Sequence, residues 1–384
     1  ELEDILFEVV HEYHEDMFTT DMALYVEMMG DNYHTEDIVG VAWGTKQKIY
    51  VTNDLALFEN EAFCAWLADP TRLKKVYDAK RTYVALNRYA TKTKGIDFDV
   101  LLGAYLLDTN EKSTDIEGIA AHYGYHEVQS DEAIYGKGAK KGLPEEEEVF
   151  FAHLARKVSA INVLTPKLSQ ELTEKNQMAL FREMELPLSI ILAEMEITGI
   201  KVDASRLQEM KIEFSDRLKE IEETIYQEAG ESFNLNSPKQ LGVILFEKMG
   251  LPVIKKTKTG YSTAVDVLEQ LREQAPIVDD ILTYRQIAKI QSTYVEGLLK
   301  VIQSDGKVHT RYVQTLTQTG RLSSVDPNLQ NIPIRLDEGR KIRQAFVPRE
   351  KDWLIYSSDY SQIELRVLAH ISNDEHLKAA FLEG

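Results

Sequence analysis

A single cysteine, Cys64, is all the thiol in this chain of 384 residues. That excludes a disulfide framework and any zinc site built on thiolates, and it fits a reducing cytoplasm. No apolar run approaches the roughly 20 residues that cross a bilayer, and Glu1 to Glu8 lack the basic start of a secretory signal. The expectation is a soluble, cytoplasmic chain with no membrane partner. Basic charge is scarce too: 44 Lys and Arg stand against 63 Asp and Glu, a net charge of -19. Taken globally, that argues against a nucleic-acid binder. Local balance matters more, because salt screens exposed charges beyond about 8 to 10 Å. Ser237 to Tyr261 holds Lys239, Lys248, Lys255, Lys256 and Lys258 against one acid, Glu247. Lys307 to Arg349 also leans basic through Arg321, Arg335, Arg340, Lys341 and Arg343. A polyanion can therefore meet basic surfaces while the acidic excess lies elsewhere, largely in the first half.

The length leaves room for two or three domains, each with its own core. After a lead-in over Leu2 to Thr19, short apolar runs at Ala23–Met29, Ile38–Trp43, Lys48–Val51 and Lys75–Tyr77 alternate with helical stretches. This predicts an α/β unit ending near Glu171. Gly136 to Pro144 reads as a solvated loop, without the spacing of a phosphate-binding loop. Beyond it come a helical region over Met178–Met195 and a short strand, Ile200–Val202. A capping box at Ser205 and Gln208 then opens a helix with a stripe of Leu207, Met210, Phe214, Leu218, Ile221 and Ile225 up to Gly230. A matching stripe, Ile287, Ile290, Tyr294, Leu298 and Val301, predicts an antiparallel partner helix. Between the two, Ser237, Pro238 and Gln240 spell another helix start.

The loop that follows carries Lys255, Lys256, Lys258, Thr259 and Ser262. Point charges, short hydroxyl donors and a glycine are what phosphate tracking without base readout requires. The same composition also suits an ordinary surface loop. Val308 to Thr317 reads as a strand. Trp353, Leu354, Ile355 and Tyr356 read as a buried strand, and Ile363, Leu365, Val367, Leu368 and Ile371 as the apolar side of a helix. Asp359 then stands at a strand end, facing out. A carboxylate held there suits a hard divalent ion. On these residues alone, a helix cap near Ser361 is the simpler reading.

The stretch Asp359-Tyr360-Ser361-Gln362-Ile363-Glu364-Leu365-Arg366, continued to Ala369-His370, resembles motif A of the family A DNA polymerases, the bacterial DNA polymerase I type. Thr319 to Ser324, followed by Pro327-Asn328-Leu329-Gln330-Asn331-Ile332-Pro333, resembles the part of that family that grips the primer-template duplex. The likeness extends along essentially the whole chain. It implies an α/β plus α+β multidomain fold: a ribonuclease H-like exonuclease-type domain over 1–171, palm entry and helical thumb over 172–303, and the N-terminal part of a polymerase palm over 304–384.

The resemblance also implies roles. Asp359 would ligate both Mg2+ ions of a two-metal site, with the Tyr360 backbone carbonyl on one of them. Ser361, Gln362, Ile363 and Glu364 would line the nucleotide site, Glu364 excluding a ribose 2'-hydroxyl; Arg366 and His370 would support them. Arg321 would reach the minor groove, where acceptors look alike for every base pair. Asn328, Gln330 and Asn331 would hold the duplex or make the turns around Pro327 and Pro333. Ser237, Lys239 and the lysine-rich loop would follow its phosphates. The partners implied are primer-template DNA and deoxynucleoside triphosphates, bound by a monomer. The family's second metal-binding aspartate and its fingers helix have no counterpart up to Gly384, so the expectation is an incomplete fragment that binds primer-template without extending it. The alternatives are a non-catalytic DNA-binding fragment or, less favoured, a 3'-5' exonuclease.

That exonuclease chemistry needs four carboxylates around two metals, and the resemblance places them poorly here. Tyr25-Val26-Glu27 keeps only Glu27 of the first pair, the second acid falls near Thr82, and the third falls within Ala155 to Val158, which holds no acid. A lone Glu27 cannot assemble two metals. The domain is expected to be an inactive scaffold unless Asp97, Asp99 or Asp108 rebuilds a site.

Overall fold

The computed structural model describes residues 2–110, 114–258 and 260–384. Its first unit is a six-stranded sheet formed by β1 (Glu8–Val9), β2 (Met22–Met28), β3 (Ile38–Gly44), β4 (Ile49–Thr52), β5 (Lys74–Val76) and β6 (Ile96–Asp99). They lie in the order β1-β4-β3-β2-β5-β6. β2, β3 and β4 pair antiparallel, while β5 and β6 extend the sheet in parallel. β2 is buried along its whole length, which is why it reads as a near-continuous apolar run rather than an alternating one. The helix Glu147–Glu174 lies across β2, β3 and β4. Phe18 stacks on Trp43 at 5.4 Å, and both, with Phe63 and Trp66, are almost fully buried. Short polar side chains start the helices: Asn60 accepts from Phe63 N, Asp78 from Arg81 N and Asp99 from Leu101 N.

A second core starts at Val202. Leu207, Met210, Phe214, Ile221 and Ile225 of the helix Ala204–Ala229 bury against Ile281, Ile287, Ile290 and Tyr294. The two elements run antiparallel: Glu228 lies beside Asp280, Glu222 beside Tyr284, and Gln291 Nε2 bonds Lys211 O at 3.0 Å and Ser215 Oγ at 2.7 Å. Gly230, at φ 77°, ends the first of them in the left-handed region that glycine tolerates. The expected capping box at Ser205 and Gln208 does not form. Asp203, not Ser205, is the cap and accepts from Arg206 N at 3.2 Å; its carboxylate comes first in the chain and leaves Ser205 inside the helix.

β7 (Ile200–Val202) is the middle strand of a small sheet. A short antiparallel pair joins β8 (Lys256–Thr257) to β9 (Gly260–Tyr261). The single strand expected over Val308–Thr317 divides into β10 (Lys307–Val308), which joins β7, and β11 (Arg311–Val313), which pairs with β12 (Ser323–Val325). Between them His309 and Thr310 are buried and turn to different neighbours. His309 Nε2 lies 2.7 Å from Asp305 Oδ2, and Thr310 Oγ1 donates to Pro327 O at 2.7 Å. Those bonds break the run. β13 (Phe346–Val347) completes the small sheet on the other side of β7.

The two units are tied at Glu196, near the end of the helix Leu186–Thr198. Its buried carboxylate receives Tyr33 OH at 2.5 Å, Lys80 Nζ at 2.8 Å and Tyr312 N at 2.9 Å, with His34 Nε2 at 3.0 Å. Burial pushes this carboxyl up, but its bonds to His34, Lys80 and Tyr33 outweigh burial and hold it below the usual range.

The strand expected at Trp353–Tyr356 is absent: these residues belong to no regular element and are exposed, Leu354 at 92%. An apolar run becomes a strand only with an edge to pair and a layer to cover it, and among the described residues nothing pairs with it. The helix Ile363–Ser372 forms as expected, yet Ile363, Leu365, Val367, Leu368 and Ile371 are exposed rather than buried for the same reason.

Candidate nucleic-acid interface and metal sites

At the thumb tip Ser237 does cap the helix start, accepting from Gln240 N at 3.2 Å. The return bond of a capping box goes elsewhere: Gln240 Oε1 accepts from Asn234 N at 2.9 Å. Lys239, Lys255, Lys256 and Lys258 are all exposed, Lys239 and Lys256 on the wall of one groove, whereas Lys248 is held by Glu231 at 2.7 Å. Ser262 differs from its expected outward role. It is buried, and its hydroxyl accepts from Ala264 N at 3.4 Å, so it shapes the loop. Thr259 lies outside the described residues. Arg285, which sequence pattern did not single out, enters the groove from the helix Pro276–Ile290 and donates to Thr263 O. Its only signal was a basic residue amid an apolar stripe.

The two motif stretches meet. Arg321 Nη2 donates to Glu364 Oε1 across 43 positions of chain, both side chains being largely exposed. Thr317 Oγ1 donates to Arg321 O at 2.8 Å and fixes the start of that loop. The amides make turns here: Asn328 Oδ1 accepts from Gln330 N at 3.0 Å, Gln330 Nε2 donates to Leu322 O at 3.3 Å, and Asn331 O accepts from Tyr294 OH.

Asp359 is exposed, and its Oδ1 accepts from Tyr360 N at 2.9 Å. The capping reading fails. Gln362, at φ 52°, is the residue before the helix, and no side chain caps it. Ser361 O accepts from Arg366 Nε at 2.8 Å, so the turn from Asp359 to Glu364 is closed by its own side chains. Arg366 also lies over the Phe381 ring at 4.7 Å, and His370 is exposed.

Glu27 occupies a different environment. It is 1% exposed on β2 and receives Tyr25 OH at 3.1 Å, Tyr135 OH at 2.9 Å and Lys157 Nζ at 2.7 Å. Arg81 Nη2 stands 3.7 Å away. Thr82 spends its hydroxyl on Asp78 O at 2.9 Å. Glu27, Asp131 and His153 form the one group among the described residues whose ligand atoms lie within 4.8 Å of one another. Sequence reasoning missed Asp131 and His153 because they come from separate helices. Lys157, one turn beyond His153, also reaches Asp131 Oδ1 at 2.7 Å. Burial lowers the Lys157 ammonium's pKa, but Glu27, Tyr25 and Asp131 outweigh it and hold it well above the usual lysine range. Burial likewise raises Asp131, while the His153 bond and the Lys157 charge outweigh it and hold that carboxyl well below the usual range. Tyr25 is pushed up to about 12 by burial and by Glu27.

The three acids that were to rebuild a site are engaged elsewhere. Asp97 pairs with Lys75 at 2.7 Å. Asp99 is buried and accepts from Asp78 N at 2.9 Å and Ala79 N at 2.8 Å; burial and the Asp78 charge push it up to about 7. Asp108 accepts from Asn110 N at 3.0 Å.

Residues 204–384 match the family described as DNA polymerase family A, and residues 24–164 match the ribonuclease H-like domain of DNA polymerase I. The chain is 56% identical over 382 residues to DNA polymerase I of Bacillus subtilis, covering 99% of this chain and 43% of that protein. It is 52% identical over 379 residues to DNA polymerase I of Geobacillus stearothermophilus, covering 98% and 43%. The chain thus spans less than half the length of these curated relatives. Among solved structures it is similar to the POL domain of Pol1 from M. smegmatis in complex with DNA primer-template and dNTP. The TM-score is 0.78 at 34% identity, covering 96% of this chain and 62% of that one.

Proposed function

This chain belongs to DNA polymerase family A, and from that footing we propose that it is part of a DNA-directed DNA polymerase that adds deoxynucleotides to a primer 3'-hydroxyl in replication and repair. The observation that carries the reading is the meeting of Arg321 with Glu364 within five residues of Asp359. In this reading Arg321 exchanges Glu364 for minor-groove acceptors when the duplex arrives, and Glu364 crowds the position of a ribose 2'-hydroxyl. Ile363, with Ser361 and Gln362, flanks the nucleotide. Lys239, Lys255, Lys256 and Lys258 follow the phosphates, joined by Arg285.

The donor set at Asp359 tests the fit of the implied Mg2+. One exposed carboxylate beside a backbone carbonyl suits a hard ion as one ligand of a shared site, and further carboxylates must complete it. When bound, such ions activate the attacking oxygen and stabilise the leaving one. The contribution of this chain is to hold Asp359 at the surface, ready to share an ion. We read the first domain as a scaffold without nuclease activity, because the resemblance places its second acid near Thr82 and its third within Ala155 to Val158, a run that holds no acid. A cytoplasmic monomer completes the proposal; no helix among the described residues is long and apolar enough to cross a membrane.

The test is an end-labelled primer on a longer template, incubated with the chain, magnesium and the four deoxynucleoside triphosphates. With Asp359 as its one carboxylate at that site, the chain should shift the duplex on a native gel and leave the primer unextended. Extension that survives Asp359→Ala would remove Asp359 from the chemistry, and the absence of any shift would sink the duplex-binding reading.

A further inference from the structure

The pocket around Glu27 holds the strongest unexplained chemistry in the molecule. Its walls carry Glu27 and Asp131, and His153 joins them from behind in a ligand-like cluster. At the centre of that cluster stands an ammonium group. Lys157 Nζ is 2.7 Å from Glu27 Oε2 and 2.7 Å from Asp131 Oδ1, with its side chain only 4% exposed. The same nitrogen lies 2.9 Å from Tyr25 OH and over the Tyr25 ring at 4.4 Å. A cation bridging two carboxylates at that separation, inside a pocket, does what a bound metal ion would do: it neutralises like charges that otherwise repel.

The charges close without any ion. Glu27 and Asp131 supply two negative charges, and Lys157 with Arg81, 3.7 Å from Glu27, supplies two positive ones. His153 completes the cluster: it is 1% exposed, and its Nε2, 2.8 Å from Asp131 Oδ1, is the nitrogen turned towards the carboxylates. Its Nδ1, on the other side of the ring, is buried with no hydrogen-bond partner among the described residues, a costly arrangement that no protein group there relieves.

We infer that Lys157 is the resident cation of this pocket, a tethered ammonium that keeps divalent ions out, and that Glu27, Asp131 and His153 are a latent divalent-metal site opened by its removal. A compact point charge on a flexible stem can fill a cation position in this way. Removing the ammonium leaves two carboxylates and an imidazole facing one another with one fewer positive charge. That donor set suits Mn2+.

The experiment uses the full chain in an Asp359→Asn background, so that the polymerase carboxylate does not compete. Mn2+ binding is counted by water proton relaxation, and thermal unfolding is followed with and without Mn2+. Lys157→Met should gain one Mn2+ per chain and have its Tm raised by Mn2+. The unsubstituted Lys157 protein should show neither effect. Glu27→Gln combined with Lys157→Met should lose the gain, because a carboxylate ligand is gone. A folded Lys157→Met protein that binds no Mn2+ would overturn the inference. A measurement on the Lys157 protein stands if that variant does not fold: the Met28 methyl resonance, next to Glu27, should stay sharp when Mn2+ is added, and its paramagnetic broadening would equally overturn the idea. Neither readout involves DNA, so the outcome is separable from the polymerase reading.

Discussion

On the proposed function, Arg321 and Glu364 form a pair that matters for binding and little for stability. Both are exposed, and exposed ion pairs contribute about 0 to 1 kcal/mol. Arg321→Ala should therefore leave the denaturation midpoint nearly unchanged while weakening primer-template affinity by about 1 to 3 kcal/mol, measured by fluorescence anisotropy. A loss of stability as large as the loss of binding would assign Arg321 to the fold instead. Lys74 is the opposite case. It is fully buried, and its ammonium donates to Trp66 O at 2.5 Å, Arg72 O at 2.7 Å, Lys94 O at 2.8 Å and Asp69 O at 3.1 Å. Lys74→Met strands these carbonyls and should cost about 2 to 4 kcal/mol in urea unfolding, since each unsatisfied buried group costs about 1 to 3. Legibility at this scale followed chain distance. Glu27 stood out in the sequence because its missing partner, Tyr25, is two positions away. Asp131, His153 and Lys157 did not, because a pocket assembled from one strand and two helices leaves no local spacing to read.

The thumb shows what periodicity can and cannot reveal about an element. The stripes on Ala204–Ala229 and from Ile287 to Val301 were legible because a helix that buries one face must repeat every three or four residues. Phe214 is 1% exposed in that seam, so Phe214→Ala should cost about 3 to 5 kcal/mol by chemical denaturation. Across the same seam Glu228 meets Asp280, a like-charge pairing no single-helix pattern could disclose. Burial and the Asp280 bond push the Glu228 carboxyl up to about 7. The sign follows from proton binding: a carboxyl raised in the folded state binds its proton more tightly there, so its contribution favours folding below the unfolded value of about 4.3 and is lost as pH climbs towards 7. Glu228→Gln should raise Tm at pH 8 and leave it little changed at pH 4; an equal shift at both would show that Asp280 is not its partner. The run Trp353–Tyr356 misled for a related reason. Four apolar residues state that they can be covered, but their neighbours decide whether they are.

At the scale of the molecule, a net charge of -19 coexists with a basic thumb tip, and the balance between them should appear as salt dependence. Binding to primer-template should weaken steeply with salt. Neutralising Lys255, Lys256 and Lys258 to Gln should flatten the slope of log affinity against log salt by roughly 0.9 for each phosphate that a lysine no longer neutralises. An unchanged slope would place those lysines away from DNA.

Glu196 carries a consequence for how the whole chain melts. One buried carboxylate holds Tyr33, His34 and Lys80 of the first unit and the Tyr312 amide of the second. Opening either side strands it, so each unit's unfolding is penalised until the other follows, and the two cores should melt as one calorimetric event. Removing a partner from a buried charge network costs about 3 to 5 kcal/mol. Glu196→Ala should accordingly split a single endotherm into two, turning one cooperative body into a pair of independently melting ones joined by a strand.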